Sequence, residues 1–328
     1  MRDFLEHIAL SVRRAVRPWV IALRGRGVVG TAAAGDATFE IDRVAERRLE
    51  RLLRDSGRPL LYYSEDRGLV ALGAGEPEAV LIVDPIDGTR NARSGFEGCM
   101  VSVAAIAAPF RAAPEALTLG DVTHACLAEI VGRRLFYAQR GGGAEWREGG
   151  RVHRPRLSAE TDLDRIAWSL GIVGRPARPL FEVMGELVDR TSLTGGFFSC
   201  NSIAFSLTRL VTGQLDAALD IANRIYRDRP DTREAFIAAG HGAVMGLCPY
   251  DLAAAVLVAR EAGCTITDAY GQSLDSTPAL ACPACPELVE GERGRGAGNP
   301  ESLRSLIAAG NPTLHARLLA YVNERMAR

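Results

Sequence analysis

The stretch VLIVDPIDGTRN, residues 80–91, decides how the chain is read. Val80 to Val83 give a short buried-strand signal that stops at Asp84. Pro85 cannot donate to a sheet ladder, so the strand is expected to end there or to lie at an edge. Two carboxylates, Asp84 and Asp87, fall in this turn, and Gly88 and Thr89 follow. Gly88 lets the backbone approach a ligand closely, and free N–H groups at a turn or helix start suit an anion. Acidic side chains beside such a turn would repel a phosphate unless a cation lay between them. Hard oxygen ligands favour Mg²⁺, which sits between carboxylates and substrate phosphates. The residues therefore point to metal-assisted phosphate chemistry. The plainer alternative is a capped strand-to-helix turn.

Working outward, 328 residues can bury a large core, as one domain or two packed halves. A hydrophobic content of 47% and a charged content of 24% are those of an ordinary soluble globular protein. The net charge of -1 gives no support for a nucleic-acid polymer or an anionic membrane as partner. Seven scattered cysteines, an odd number, fit reduced thiols and a cytoplasmic setting. No apolar run approaches the ~20 residues that span a bilayer. Glu6, Arg13, Arg14 and Arg17 interrupt any signal-peptide core. Instead Phe4, Leu5, Ile8, Val12, Val16, Trp19 and Leu23 recur at helical spacing, a core-facing helix that Pro18 is expected to kink or end early.

A second helical pattern follows, with Asp42 as its expected N-cap and Val44, Ala45, Leu49, Leu52 and Leu53 facing inward. Residues 59–66, PLLYYSED, read as another short strand that ends in acids. If it neighbours the first strand, both deliver carboxylates to one edge. Further strands are expected at 98–107, 125–131 and 134–139, and Gly141 to Gly143 as a hairpin turn without chemistry. A second half begins near 154–162, with a strand at 166–170, helices at 180–190 and 202–211, and a strand at 214–220 that ends in Asp220. Residues 221–249 form an unusually long connection, read as a solvated surface excursion in preference to a lid whose arginines hold a second anionic group. A helix opens near Asp251, its expected N-cap, and stops at Gly263. Cys282 and Cys285 form a C-x-x-C without further nearby ligands, inside a Pro-, Gly- and charge-rich insertion, so zinc is disfavoured. Helices are expected near 301–309 and 313–324.

The DPIDGT run resembles the signature of the inositol monophosphatase and fructose-1,6-bisphosphatase superfamily, and further matches occur in order along the chain. Asp36, Asp42 and Glu46 match the spacing of an upstream acidic pattern, although an upstream lysine is absent. Ser64-Glu65-Asp66 is similar to a G-E-E or S-E-E element, with Asp66 in place of the second Glu. Asn201-Ser202-Ile203 stands where the family carries G-S-A, and Asp220 falls where an acid touches substrate hydroxyls. Tyr250-Asp251 and the alanines after it resemble W-D-x-A-A-G, with Tyr250 for Trp and Ala255 for Gly, and residues 261–268 resemble E-A-G-G-x-x-T-D.

The resemblance implies a layered αβαβα sandwich, an α+β half (1–155) packed on an α/β half (156–328), with insertions near 221–249 and 276–299. It implies that Glu65, Asp84, Asp87, Asp251 and the Ile86 carbonyl hold two or three Mg²⁺ ions. Thr89, held by Asp42, would orient an attacking water with help from Glu65, while Asp87, Gly88, Thr89 and Asp220 would bind phosphate or substrate. The activity implied is Mg²⁺-dependent hydrolysis of a small phosphomonoester, inositol monophosphate and/or fructose 1,6-bisphosphate, by a homodimer. The alternatives are a 3′-phosphoadenosine-phosphate or histidinol-phosphate phosphatase, or a non-catalytic metal- or phosphate-binding relative. An aspartyl-phosphate mechanism fits less well, because its acids are spaced D-x-D and two residues separate Asp84 from Asp87.

Overall fold

The apolar spacing at the N-terminus becomes helix α1 (Arg2–Ile21), with Leu5, Ile8, Val12, Val16 and Val20 fully buried. The computed structural model describes residues 1–31, 37–280 and 303–328. Helix α1 runs on past Pro18 to Ile21 instead of stopping early, since a proline this close to the C-terminus removes little of the hydrogen-bond ladder. A hairpin of β1 (Val28–Thr31) and β2 (Ala37–Phe39) leads into α2 (Glu40–Asp55). Phe39, not Asp42, is the N-cap of α2: Asp42 is the third helical residue and its carboxylate accepts the Phe39 N–H at 2.8 Å. The acid thus acts from inside the first turn, as in a capping box.

The first sheet contains β3 (Leu60–Ser64), β4 (Gly68–Leu72), β5 (Ala79–Asp87) and, after the short α3 (Thr89–Ser94), β6 (Met100–Ala107). Strands β7 (His124–Glu129), β8 (Leu135–Gln139), β9 (Gly143–Glu148) and β10 (Arg151–His153) complete it, in the order β10-β9-β8-β7-β6-β5-β3-β4. Pairing is antiparallel except between β3 and β5, which run parallel from Leu60 opposite Ala79 to Ser64 opposite Val83. That one parallel pair brings the acidic ends of both strands to the same edge. Strand β5 does not stop at Asp84 and is not at the edge: it continues to Asp87, with every residue buried. Pairing with β3 ends at Val83 and the register with β6 shifts between Asp84 and Asp87. An irregularity of this kind admits Pro85 within the sheet. The β8–β9 turn is clasped by Glu261, whose carboxylate accepts the N–H groups of Gly141 and Gly143 at 2.9 and 2.8 Å.

The second sheet is built from β11 (Ala167–Leu170), β12 (Gly196–Phe198), β13 (Ala217–Asp220), β14 (Thr265–Thr267) and β15 (Leu306–Ala309), ordered β12-β11-β13-β15-β14. Its helices are α4 (Ala177–Thr191), α5 (Ile203–Val211), α6 (Ala222–Asp228), α7 (Arg233–Ala239), α8 (Pro249–Glu261) and α9 (Pro312–Met326). Residues 306–309, expected in a helix, form a buried strand between β13 and β14. The short apolar run Leu-Ile-Ala-Ala fits either state, and pairing on both sides decides it.

The layers follow from which faces are apolar. Helices α1 and α2 cover one face of the first sheet. Helices α5 and α8 fill the space between the sheets, where Ile82, Leu127 and Phe136 meet Leu252 and Val256 of α8 and Ala218 and Ala308 of the second sheet. Helices α4, α6 and α9 cover the far side. This is the expected five-layer αβαβα order.

The 221–249 connection corrects its reading. It is not a solvated excursion: Ile225 and Phe236 are fully buried, and Arg224 donates to Ala269 O at 2.6 Å and Asn323 Oδ1 at 2.7 Å. Two apolar anchors hold the segment down, and the arginine is spent on the interior. Asp36 and the Cys282–Cys285 pair lie outside the described residues. Among the described residues no helix is long and apolar enough to cross a membrane.

Candidate active site

At the shared edge of β3 and β5 the chain opens a cleft of about 1290 Å³, counted out to bulk solvent, lined by residues from 38–90 and from 169–303. The end of β5 supplies Asp84 and Asp87, and the first turn of α8 supplies Asp251. One ligand atom from each of these three acids lies within 4.8 Å of the others. Each is pinned: Asp84 Oδ1 accepts the Ile86 N–H at 2.9 Å, and Asp251 Oδ2 accepts the Cys248 N–H at 2.6 Å. Cys248 rather than Asp251 is therefore the N-cap of α8, the same displacement into the first turn as at Asp42. Asp87 Oδ2 accepts the Ser202 hydroxyl at 2.8 Å and the Ala204 N–H at 2.6 Å, so it sits at the N-terminus of α5.

Asp84 and Asp87 are 3% and 7% exposed. Burial pushes the Asp84 carboxyl up, and the charges of Glu65, Asp87 and Asp251 push it further. Burial also raises Asp87, to about 6, against the pull of Ser202 and of the Ala204 and Ile203 N–H groups. Three carboxylates this close, two of them buried, cannot all ionise without a compensating cation. The donor set is all oxygen, which suits a hard divalent ion. Glu65 lines the same cleft and its charge reaches Asp84, but it stands outside the three-acid cluster. Asp66, the shorter acid beside it, accepts the Thr38 hydroxyl at 2.9 Å.

Next to the acids, the Thr89 hydroxyl lies 3.1 Å from Asp42 Oδ1 and 3.0 Å from Ile86 O. Its single proton can go to one of them at a time, which leaves lone pairs for a third partner. Gly88, at φ +93, makes this turn possible: a Cβ there would stand 2.5 Å from Gly98 O and 3.0 Å from Ser202 Cβ. Asn201 takes the left-handed conformation at φ +52, so it occupies the kind of backbone position a glycine fills and its side chain accepts from Ser199. Tyr250 is buried with its ring 6.0 Å from that of Tyr63.

The opposite wall comes from the second sheet. Asp220, at the end of β13, is 1% exposed and pairs with Arg175, whose Nη2 donates to Oδ2 at 2.6 Å. Burial raises the Asp220 carboxyl and Arg175 pulls it back. Beside the pair, Ile172, Val173, Val244 and Met245 give an apolar lining. Thus Asp42, Glu65, Asp84, Ile86, Asp87, Gly88, Thr89, Asp220 and Asp251 all line one cleft. Sequence reasoning missed Ser202 as the partner of Asp87, Arg175 as the partner of Asp220, and the 243–247 wall. Only Ser202 left a signal, since a serine before an apolar helix is an N-cap candidate.

A model of the inositol monophosphatase family matches residues 21–327. A fructose-1,6-bisphosphatase/inositol-1-monophosphatase of Methanothermobacter thermautotrophicus is 28% identical over 316 residues, which cover 95% of this chain and 92% of that protein. A Nus factor SuhB of Vibrio cholerae is 28% identical over 273 residues, 83% of this chain and 87% of that protein. The crystal structure of extragenic suppressor protein suhB from Bartonella henselae superposes with a TM-score of 0.67 at 18% identity, over 98% of each chain.

Proposed function

Because the chain belongs to the inositol monophosphatase family, matched over residues 21–327, and is a phosphoric monoester hydrolase of a metal-dependent family, we propose that its substrate is inositol monophosphate and/or fructose 1,6-bisphosphate and its metal Mg²⁺. The observation that carries this reading is the cluster of Asp84, Asp87 and Asp251 within 4.8 Å, with the Thr89–Asp42 hydrogen bond beside it. The match to a relative named for both activities supports the pair of substrates.

Asp84, Asp87, Asp251, Glu65 and the Ile86 carbonyl would hold two or three Mg²⁺ ions. Bound Mg²⁺ supplies the charge that lets a phosphate approach these acids and the Lewis acidity that makes water a better nucleophile. The remaining work falls to the chain itself. Thr89 Oγ1 passes its proton to Asp42 Oδ1 and accepts one from the attacking water, so the water is aimed and its proton has a destination. The Phe39 N–H on Asp42 Oδ2 keeps that carboxylate turned toward Thr89. Gly88 and Thr89 N–H groups at the start of α3 take phosphate oxygens, and the bonds from Ser202 and Ala204 hold Asp87 in position. Asp220, through its partner, meets the leaving group.

The test is phosphate release from inositol 1-phosphate and fructose 1,6-bisphosphate, with and without Mg²⁺, beside an Asp84→Asn control. Mg²⁺-dependent release lost in the variant is the expected result. Release that ignores both Mg²⁺ and the substitution would overturn the reading.

A further inference from the structure

Asp220 does not offer a bare carboxylate to the cleft. Its Oδ2 takes the Arg175 Nη2 proton at 2.6 Å, its Oδ1 takes the Ala222 N–H at 3.2 Å, and it is the more sealed member of the pair. Arg175 lies in the turn between β11 and α4 and lines the cleft. Of the N–H groups on its guanidinium, one is used by Asp220 and one by Val173 O. Its Nε is buried and has no partner among the described residues, although only 8% of the side chain is exposed. That Nε is sealed from the cleft, so the donors left for a ligand oxygen are the second N–H groups of Nη1 and Nη2.

This end of the cleft therefore presents donors where a carboxylate was expected to present acceptors. We propose that Arg175 is a specificity-determining residue which selects leaving groups that carry a second anionic oxygen group, such as a distal phosphate. The proposal rests on the phosphatase reading above and deepens it. A guanidinium fork matches phosphate geometry, and the apolar neighbours Ile172, Val173, Val244 and Met245 lower the local dielectric and strengthen such a contact. The pairing also cancels the Asp220 charge, so no uncompensated acid at this end repels a distal phosphate. A polyol with hydroxyls alone gains less, because the Asp220 oxygens that would accept its protons are sealed at 1% exposure and each already accepts one bond.

Fructose 1,6-bisphosphate and fructose 1-phosphate share the reacting phosphate and differ only in the distal one. In Mg²⁺, wild type is expected to favour the bisphosphate in kcat/KM by about tenfold or more, the effect of one charge-assisted contact. Arg175→Met alone strands a buried carboxylate and endangers the fold, so it is paired with Asp220→Leu. The double variant is expected to lose most of the preference, and Arg175→Lys, which keeps the charge without the fork, to retain part of it. Fructose 6-phosphate, which keeps the distal phosphate and needs no turnover, is titrated by calorimetry and is expected to bind about tenfold more weakly to the double variant. Absence of a preference in wild type, or its survival in the double variant, would overturn the role of Arg175. If neither sugar nor p-nitrophenyl phosphate releases phosphate, the phosphatase reading fails instead, and the fructose 6-phosphate titration still decides for or against Arg175.

Discussion

The two walls of the cleft are built on different principles. On the acid wall three carboxylates are fixed by a backbone N–H two or three residues away: Asp84 by Ile86, Asp42 by Phe39, Asp251 by Cys248. Asp87 is the exception, held by Ser202 and Ala204 at the start of α5. On the facing wall, Arg175, Asp220 and Met245 come from three separate segments, and Arg175 meets Asp220 across 45 residues of chain. Local bonds fix most of the acid wall in short stretches of sequence, whereas the facing wall exists only after folding. On the function proposed above, the first wall carries the reaction and the second the choice of substrate.

Removing an acid should break the first wall most completely. Asp84→Asn is expected to lower phosphate release by about a thousandfold or more, since metal-held charge contributes several kcal/mol to such transition states. The metal-free variant should melt no lower than wild type, because a buried carboxyl already strained by three neighbouring acids is replaced by a neutral amide. Turnover within tenfold of wild type would break the comparison at its first term. Next in size, Asp42→Asn and Thr89→Val are each expected to cost about 10²–10⁴ in kcat, the range for a positioned proton acceptor. Because one hydrogen bond joins them, the double variant should be little worse than the poorer single, and fully additive losses would show that they act apart.

What the sequence revealed follows the same division. The six-residue run from Asp84, the acid after Ser64 and the helix-opening Asp251 are legible as positions, since each sits at the end of its own strand or the start of its own helix, and the structure brings them to one cleft. The parallel β3–β5 pairing was also foreseeable, since both strands end in acids that need one edge. Pro85 misled because it implied an edge strand, whereas the irregular register opposite β6 accommodates it inside the sheet. Residues 306–309 misled because a four-residue apolar run has no period of its own. Arg175 was invisible: nothing local marks an arginine whose partner ends the neighbouring strand, 45 residues on. The 221–249 connection was judged by its charges, but Ile225 and Phe236 decided its place.

Behind the acid wall stands a further buried acid, which predicts a smaller effect on stability. Glu46 is 4% exposed and accepts the Ser64 hydroxyl at 2.9 Å, while its Oε2 has no partner among the described residues. Burial raises its carboxyl to about 7, against Ser64 and Arg67 and helped by Asp66 and Glu50. The unfolded chain releases this proton near 4.5 and the folded one near 7, so between them the folded state holds more protons. Stability contributed by the protonated form is therefore full below about 4.5 and is lost as pH rises toward 7. In metal-free protein, Glu46→Gln should match wild type near pH 4.5 and exceed it by roughly 3 kcal/mol at pH 8 in denaturant unfolding. Equal stability at pH 8 would show that Glu46 is relieved of its charge in some other way.

The smallest expected effect falls on Ser202, the residue that joins the walls. Its hydroxyl donates to Asp87 on the first sheet and accepts the Phe205 N–H at 3.0 Å as the N-cap of α5. Ser202→Ala removes both bonds but leaves the Ala204 N–H on Asp87, so the acid loses part of its support. A hydrogen bond to a charged group is worth about 1.5–3 kcal/mol, of which the remaining Ala204 N–H keeps part, so the Mg²⁺ concentration for half-maximal activity should rise roughly tenfold. The acid limb of the rate profile should also move to higher pH, because Ser202 is the largest influence holding the Asp87 carboxyl down. Ser202→Thr keeps the hydroxyl and should restore both. If Ser202→Ala lowers only thermal stability, with Mg²⁺ dependence and pH profile unmoved, then the bridge is structural and the acid wall is set by its local bonds alone.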